Sequence, residues 1–277
     1  MTTVGNLLDP LQRQNRFNFN RGDSKVYFLT YKNEKWSAYC DKLVQQAEGL
    51  NYFDKCIVES NIEKDLEFCD TLKNSTFKSN YELKKGCGLW LWKPYIINKQ
   101  LQKINNGDFL IYSDPWGAFP NNPILKCWSK NKLNFYLNLL DEKKCLSFSS
   151  GFQQYKTTKD SVFKYFNYLE CIGAYLGESR ISGLHFIKKC DFTNNLYKHW
   201  WIIAKNNSSL FNDCLCKNGY NFHFVENRND EAVWSLLCKK YDVELVEDKP
   251  SDRPIKISTR PIIENDFSLN INLFFIN

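Results

Sequence analysis

The segments GCGLWLWKPY (residues 86–95) and FLIYSD (residues 109–114) say most about the fold of this chain. The first is an aromatic turn flanked by glycines, and Pro94 is well suited to the first turn of the helix that follows. The second is an apolar strand that ends on one carboxylate, Asp114, before a Pro-Trp-Gly break. Open α/β sheets bind ligands beyond the ends of such strands. An acidic residue there can face a metal ion, a phosphate-bearing substrate or a sugar hydroxyl.

A strand, a helix and a second strand precede these segments. The run KVYFLT (residues 25–30) predicts a buried strand, and apolar residues between Trp36 and Ala47 recur with the spacing of one helix face. Residues 53–59 predict the next strand. This order forms a βαβ unit, which implies a parallel strand pair with a right-handed crossover. The loop after the first strand and Glu59 therefore lie at the carboxyl edge of the sheet.

Helices and strands continue to alternate along the second half of the chain. The patterns predict, in order, a helix around residues 162–169, a strand at 182–187, a helix around 196–203, a strand at 222–225 and a helix around 233–241. Such alternation is typical of a single α/β domain with a mixed, mostly parallel central sheet flanked by helices. We place this domain at residues 24–248, with a flexible N-terminal arm at 1–23 and a C-terminal tail at 249–277 packed on the domain.

Composition excludes several classes of function. The net charge of +6 is mild and scattered, whereas nucleic-acid binders usually concentrate positive charge, so no nucleic-acid partner is expected. The charge favours a phosphorylated ligand and leaves a peripheral contact with an anionic membrane open. No apolar stretch approaches the roughly 20 residues that span a bilayer, and no signal peptide is visible. The 11 cysteines have no regular spacing, and we expect reduced thiols in a cytoplasmic protein.

We expect polar residues from distant parts of the chain to meet at the carboxyl edge of the sheet. They are Thr30, Tyr31, Glu59, Lys93, Asp114, Arg228, Asp230 and Glu231. Lysine or arginine there would neutralise the phosphates of a nucleoside diphosphate. A carboxylate would hold a divalent ion that bridges phosphate oxygens and stabilises the leaving group.

Several of these residues also have a purely structural interpretation. Lys93 can start a helix in solvent, and Asp114 can cap a turn, because Asp-Pro often opens one. Asp230 stands where an N-cap would be, at the start of a predicted helix. Trp90 and Trp92 are more often core residues than a stacking surface. The site assignment therefore requires that distant side chains converge in the folded chain.

Five segments resemble, in order, the motifs of nucleotide-sugar glycosyltransferases with a GT-A-type (Rossmann-like) fold. These enzymes occur in polysaccharide-building clusters and in some large viruses. The segments and the motifs that they resemble are residues 85–97 (RGxGYWxWKPxII), 107–114 (GDhhhYxDxG), 158–163 (TKxDxF), 182–186 (a small-residue strand) and 227–237 (HRxDQSxxSLL). The ordered set is more specific than any single motif.

The resemblance implies a GT-A sheet with a nucleotide bound over its N-terminal half. It implies that Thr30 and Tyr31 line the base pocket and that Lys93 and Arg228 lie near the phosphates. Asp114 stands where the metal-binding aspartate of the family's DxD motif stands, which implies Mn²⁺ or Mg²⁺ as a cofactor.

The resemblance also implies an acidic group that faces the sugar or the acceptor, which is Asp230 in this chain. We expect Asp230 to be the catalytic base if the transfer inverts the sugar, with Glu231 as the reserve candidate. The chain departs from the family at Trp116, which replaces the second DxD aspartate. It also has Asn227 and Ala232 where the family has His and Ser, and Glu231 where it has Gln.

The sequence thus predicts a metal-assisted glycosyltransferase of polysaccharide biosynthesis. It would move a sugar from a nucleotide-diphosphate sugar, with UDP-sugar as the expected donor, to a hydroxyl of a glycan or glycoconjugate acceptor. In a viral setting it would act in the host cytoplasm. The alternative is a catalytically degenerate protein of the same fold that binds a nucleotide or a glycan without transferring it. The missing second aspartate and the altered segment at residues 227–232 motivate this alternative.

Overall fold

A computed structural model describes residues 19–115, 129–214 and 223–246. The first half contains β1 (Val26–Tyr31), α1 (Ser37–Gly49), β2 (Lys55–Glu59), α2 (Leu66–Thr71), α3 (Ser75–Tyr81), α4 (Trp92–Leu101) and β3 (Phe109–Ser113). The second half contains α5 (Lys130–Lys143), β4 (Cys145–Gln153), α6 (Gln154–Thr157), α7 (Asp160–Tyr165), α8 (Ile172–Leu176), β5 (Glu178–Arg180), β6 (Leu184–Lys188), α9 (Asp191–Asn206), α10 (Asn229–Lys240) and β7 (Glu244–Val246).

The strands form one mixed sheet in the order β2-β1-β3-β6-β4-β5, with β7 paired to β4. β1 is parallel to both β2 and β3, while β6 runs antiparallel between β3 and β4. β7 is parallel to β4, and β5 is antiparallel to it. Five of the seven strands in the described residues therefore run in one direction. This confirms the predicted α/β class with a mixed, mostly parallel sheet flanked by helices.

Helices cover both faces of the sheet, and each face has its own hydrophobic core. One face packs against α1 and α5 through residues such as Phe28 and Leu137. The other packs against α4, α9 and α10 through residues such as Leu29 and Trp200. Because successive side chains of a strand point to opposite faces, the neighbours Phe28 and Leu29 enter different cores.

The carboxyl ends of β1, β2 and β3 lie at one edge of the sheet, because the three strands are parallel. The antiparallel strand β6 begins at that same edge, where Ser113 pairs with Leu184. The backbone N–H of Asp114 donates to the carbonyl oxygen of Gly183 over 2.9 Å. The end of β3 and the segment that leads into β6 therefore form one corner.

The predicted βαβ unit is confirmed by β1, α1 and β2, and the predicted strand at residues 109–113 is confirmed by β3. The structure adds elements that the sequence patterns do not predict, among them α5, β4 and β7. The prediction of a strand at residues 222–225 is wrong where it falls on described residues. The N–H of Val225 donates to the carbonyl oxygen of Lys156 over 2.9 Å instead of joining the sheet.

Residues at the N-terminal end of the described chain pack on the sheet. The ring of Phe19 contacts that of Phe109 edge-on, with 5.4 Å between centroids, and Arg21 Nη1 lies 2.9 Å from Asp54 Oδ2. Most of the predicted arm, residues 1–18, and the whole predicted tail lie outside the described residues. Among the described helices, none has both the length and the apolar character that crossing a bilayer requires.

The backbone before α4 is unusual, because every residue from Gly86 to Trp90 has a positive φ, between 50° and 93°. Left-handed backbone costs a residue with a Cβ roughly 1–2 kcal/mol, so surrounding contacts must hold this turn. Trp92 Nε1 donates to the carbonyl oxygen of Gly86 over 3.2 Å, and Asn33 Nδ2 donates to Cys87 Sγ over 3.1 Å. The left-handed turn therefore fixes the start of α4 against the loop that follows β1.

Replacing Gly88 with alanine should destabilise the protein by about 2–4 kcal/mol. Gly88 has a φ of +93°, and a Cβ there would lie 2.6 Å from the backbone oxygen of Tyr81. Gly49→Ala is the matched control, because a Cβ at Gly49 meets nothing within 4 Å. Urea unfolding should show the loss for Gly88→Ala and none for Gly49→Ala. Equal stability of the two variants would contradict this account of the turn.

Candidate functional site

A buried lysine joins two aspartates at the corner between β3 and β6. Lys93, in the first turn of α4, donates from Nζ to Asp114 Oδ2 over 2.9 Å and to Asp230 Oδ2 over 2.6 Å. The Lys93 side chain is 1% exposed, against 10% for Asp114 and 6% for Asp230. The structure thus brings together three predicted site residues from distant segments. We refer to Lys93, Asp114 and Asp230 as the Lys93 cluster.

The end of β3 positions Asp114. All five residues of β3 are buried, so the strand crosses the core and delivers Asp114 to the edge. The hydroxyl of Tyr112 donates to Asp114 Oδ1, while Lys93 donates to Oδ2. A Cβ at Gly183 would lie only 3.1 Å from Asp114 Oδ2. The glycine therefore leaves the space that the carboxylate occupies.

The first turn of α10 positions Asp230, where a helix N-terminus favours negative charge. Asn229 adopts a φ of 47°, which asparagine tolerates better than most residues, and its Nδ2 donates to the carbonyl oxygen of Phe211 over 2.5 Å. Ser182 Oγ donates to Asp230 Oδ2 over 2.7 Å. These contacts fix the start of α10 so that Asp230 faces Lys93.

A neutral histidine supports Ser182. His185 Nε2 lies 2.8 Å from the carbonyl oxygen of Ser182, and Nδ1 lies 2.9 Å from the hydroxyl of Tyr197. Burial, aided by the charge of Lys93, lowers the pKa of His185 to about 3, so the ring is uncharged at neutral pH. Because a carbonyl only accepts, Nε2 carries the proton and Nδ1 accepts from Tyr197. The histidine thus holds the serine that bonds Asp230.

The charges within the Lys93 cluster determine its protonation. Burial disfavours the ammonium of Lys93, but Asp114 and Asp230 outweigh burial and raise the pKa of Lys93. Burial also raises the pKa of Asp230, with Asp114 adding to the shift and Lys93 opposing it. A raised pKa brings a carboxylate closer to the range in which it exchanges protons at neutral pH.

Glu231 and Arg228 form a second ion pair next to the cluster. Arg228 Nη1 lies 3.3 Å from Glu231 Oε1, and Arg228 Nε lies 3.1 Å from Glu226 Oε1. Burial raises the pKa of Glu231 to about 7, although Arg228 acts in the opposite direction. The charge of Arg228 is therefore engaged by two glutamates, and Glu231 is a second carboxyl group that exchanges a proton near neutral pH.

An aromatic cleft opens at the same edge of the sheet. Its lining comprises Tyr31, Asn33, Trp36, Gly86, Trp90, Trp92 and Pro115. The ring of Tyr31 stacks on that of Trp92, with 4.0 Å between centroids. The enclosed space is small, with room for about one water molecule, so a ligand ring would lie against the aromatic surfaces and not inside a pocket.

The aromatic cleft adjoins the Lys93 cluster. Trp92 precedes Lys93 in the chain, and Pro115 follows Asp114. Lys35 Nζ lies 5.2 Å from the centroid of the ring of Trp36, which also lines the cleft. A ligand ring against the cleft would therefore lie close to both the Lys93 cluster and the exposed cation of Lys35.

Two of the predicted site residues, Thr30 and Glu59, belong neither to the cleft lining, nor to the Lys93 cluster, nor to the ion pair next to it. The side chain of Thr30 is fully buried beside Cys40 of α1, on the sheet face opposite to Tyr31. Glu59 Oε2 lies 3.3 Å from Lys99 Nζ. Both residues stand at the carboxyl edge but contact helices, and their roles in nucleotide binding stay predictions.

The structure adds three residues to the site that are not predicted from the sequence, Ser182, Tyr112 and Trp36. Ser182 opens the segment that resembles a motif strand, so its position there was a usable signal. Tyr112 stands two residues before Asp114, and this spacing places both side chains on one face of the strand. Trp36 gave no separate signal, because it fits the apolar stripe of the following helix.

The Lys93 cluster does not fit a resident divalent cation. Mg²⁺ needs oxygen ligands at about 2.0–2.1 Å in near-octahedral geometry. The carboxylates of Asp114 and Asp230 both accept from Lys93, which occupies the space between them. Within residues 19–115, 129–214 and 223–246, no group of three or more His, Cys, Asp or Glu side chains is suited to hold a metal. Mn²⁺ or Mg²⁺ at Asp114 would have to displace a buried ammonium.

Comparison with known proteins finds little similarity in sequence. No protein-family model matches the chain, and no curated protein matches it. Among solved structures, it is similar to the crystal structure of a glycosyltransferase involved in the glycosylation of the major capsid of PBCV-1. The two share 13% sequence identity, the match covers 82% of each chain, and the TM-score is 0.43.

Replacing Glu231 with glutamine should flatten the pH dependence of stability. Folding raises the pKa of Glu231 from its ordinary value of 4.5 to about 7. The native state therefore keeps a proton that the unfolded state releases, and stability falls as the pH rises from about 4.5 to about 7. Since one pKa unit corresponds to about 1.4 kcal/mol, the fall due to Glu231 is up to about 3 kcal/mol.

The measurement is urea unfolding of both proteins at pH 5, 6, 7 and 8. The stability of Glu231→Gln relative to the original chain should rise across this range. Glu226→Gln is the control, because Glu226 also pairs with Arg228 but is more exposed, at 27% against 14% for Glu231. A pH dependence that Glu231→Gln leaves unchanged would show that burial does not hold a proton on this residue.

Proposed function

We propose that the protein is a glycosyltransferase that moves a sugar from a nucleotide-diphosphate sugar to a hydroxyl group of a glycan or glycoconjugate. The observation that carries the proposal is the convergence of Lys93, Asp114 and Asp230 beside the aromatic cleft. Each of the three residues lies in a different segment that resembles the same family of nucleotide-sugar enzymes. We propose a UDP-sugar as the donor, and a cytoplasmic role in polysaccharide biosynthesis.

The aromatic cleft is our proposed binding site for a ring of the donor. Trp36 and Trp90 offer flat apolar surfaces to a nucleobase or a sugar. Lys35 is exposed at the rim and makes no ion pair within the described part of the chain, so its charge is available to a diphosphate. Lys93 is too buried for this role, and Arg228 is engaged by glutamates.

Asp230 is our proposed base for an inverting transfer. The acceptor hydroxyl oxygen attacks the anomeric carbon of the sugar and gives its proton to the Asp230 carboxylate. A new C–O bond forms as the bond from the anomeric carbon to the diphosphate oxygen breaks, and the nucleoside diphosphate leaves with that electron pair. Lys93 and Ser182 orient Asp230, and its raised pKa suits proton uptake. Glu231 is the second candidate for the base.

A second candidate function is binding without transfer. The observation that favours it is that both Asp114 and Asp230 are already bonded to Lys93, so neither carboxylate is unpaired. In a degenerate relative of the family, the cleft would still hold a nucleotide or a glycan. Ligand-induced stabilisation without product would separate this function from catalysis.

The experiment is a transfer and hydrolysis assay with a panel of UDP- and GDP-sugars and glycan acceptors. Asp230→Asn should lower kcat by roughly 100-fold or more, the usual range for removal of a general base, while leaving the melting temperature shift caused by the nucleotide in place. Asp141→Asn is the control, because Asp141 is an exposed carboxylate that pairs with Lys188, beyond the opposite edge of the sheet.

Turnover that requires Asp230 and tolerates Asp141→Asn would support the glycosyltransferase proposal. Stabilisation by a nucleotide with no turnover on any donor would favour the binding function. Full activity of a folded Asp230→Asn variant would contradict the assignment of the base.

A further inference from the structure

We infer that the ammonium of Lys93 occupies the position of a divalent cation in this site and supplies its positive charge, and that the protein works without a metal ion. The ammonium is the resident cation that links Asp114 to Asp230. The catalytic meaning of this inference rests on the proposed function, but the occupancy of the cation position can be measured without any donor or acceptor.

The ammonium of Lys93 has a full set of hydrogen-bond partners. A lysine ammonium has three N–H donors, and among the described residues three oxygens accept from Lys93 Nζ. They are Asp230 Oδ2 at 2.6 Å, Asp114 Oδ2 at 2.9 Å and Ser182 Oγ at 3.5 Å. A metal ion that bridged the two aspartates would need the position that Nζ occupies.

A metal ion could not readily displace the side chain of Lys93. Its side chain is 1% exposed and lies among aromatic rings, with Nζ 5.9 Å from the ring centroids of both Trp92 and Tyr112. The residues that flank it, Trp92 and Pro94, are buried as well. Moving the ammonium into water would open the packing of α4 on the sheet. A dication that entered without displacing it would meet a like charge at close range.

The other acidic positions in these segments supply no further ligand for a metal ion at the position of Nζ. The sequence has Trp116 where a second metal-binding aspartate would follow Asp114. Glu231 is held by Arg228 at 3.3 Å. Asp114 and Asp230 are thus the two acids that face the cation position from the described elements around it, β3 and α10. Lys93 alone already balances one of their two charges.

The test is a Mn²⁺ titration of the full chain, followed by electron paramagnetic resonance of free Mn²⁺. The original chain should leave the free Mn²⁺ signal unchanged. Lys93→Ala removes the ammonium and leaves two buried carboxylates around a vacated space, so it should bind one Mn²⁺. Adding Asp114→Asn to Lys93→Ala should weaken that binding by roughly 10- to 100-fold. Circular dichroism of each variant checks that it is folded.

Binding of Mn²⁺ by the original chain that Asp114→Asn abolishes would overturn the inference, and so would a folded Lys93→Ala variant that binds none. If Lys93→Ala fails to fold, two measurements on the original chain still test the inference, namely its Mn²⁺ titration and its turnover. Turnover that survives EDTA supports the inference, and turnover that EDTA abolishes and Mn²⁺ restores overturns it. Absence of turnover with every donor would count against the proposed function only, since the Mn²⁺ titration needs no activity.

Discussion

The ammonium of Lys93 lets the end of β3 and the starts of α4 and α10 meet at one point inside the protein. Strand β3 brings Asp114 there, α10 brings Asp230, and α4 brings the lysine between them. Two carboxylates so far from water would repel each other and lose hydration without an opposite charge. Removal of one partner from a buried ion pair costs about 3–5 kcal/mol, because a charge is then left unpaired. The cluster therefore constrains both the fold and the chemistry of this edge.

Several local features position the three side chains of the Lys93 cluster. The left-handed turn from Gly86 to Trp90 starts α4 at the right place, and it also carries two residues of the aromatic cleft lining. Gly183 leaves space for Asp114, and His185 holds Ser182 against Asp230. Strain and buried polar groups often gather where a protein binds or transforms a ligand. Their concentration here is the physical reason to place the function at this edge.

The sequence predicts the first half of the fold well, because Val26–Tyr31 and Phe109–Ser113 are continuous apolar runs and α1 has a clear apolar stripe. It does not predict β4, whose serines and glycine interrupt the pattern, although the strand pairs with three others. The position of Asp230 at this edge does not follow from the predicted strand at residues 222–225, because the described part of that segment is not a strand. The position of Asp114 follows from the end of an apolar strand that the sequence predicts. The burial of Lys93 does not follow from the sequence, since a lysine beside a proline at a helix start normally faces water, and its partner Asp230 lies 137 residues away. The position of Trp36 in the cleft lining could not be predicted either, because in the sequence Trp36 fits the apolar stripe of the following helix.

The most direct measurement compares the stability of Lys93→Met with that of a triple variant that also carries Asp114→Asn and Asp230→Asn. If the ammonium neutralises two buried carboxylates, Lys93→Met leaves them to repel, and removing their charges should recover part of the loss. We therefore expect urea unfolding at pH 7 to show the triple variant to be more stable than Lys93→Met, by about 1–3 kcal/mol. A triple variant less stable than Lys93→Met would contradict the account, because the aspartates would then stabilise the fold without the lysine.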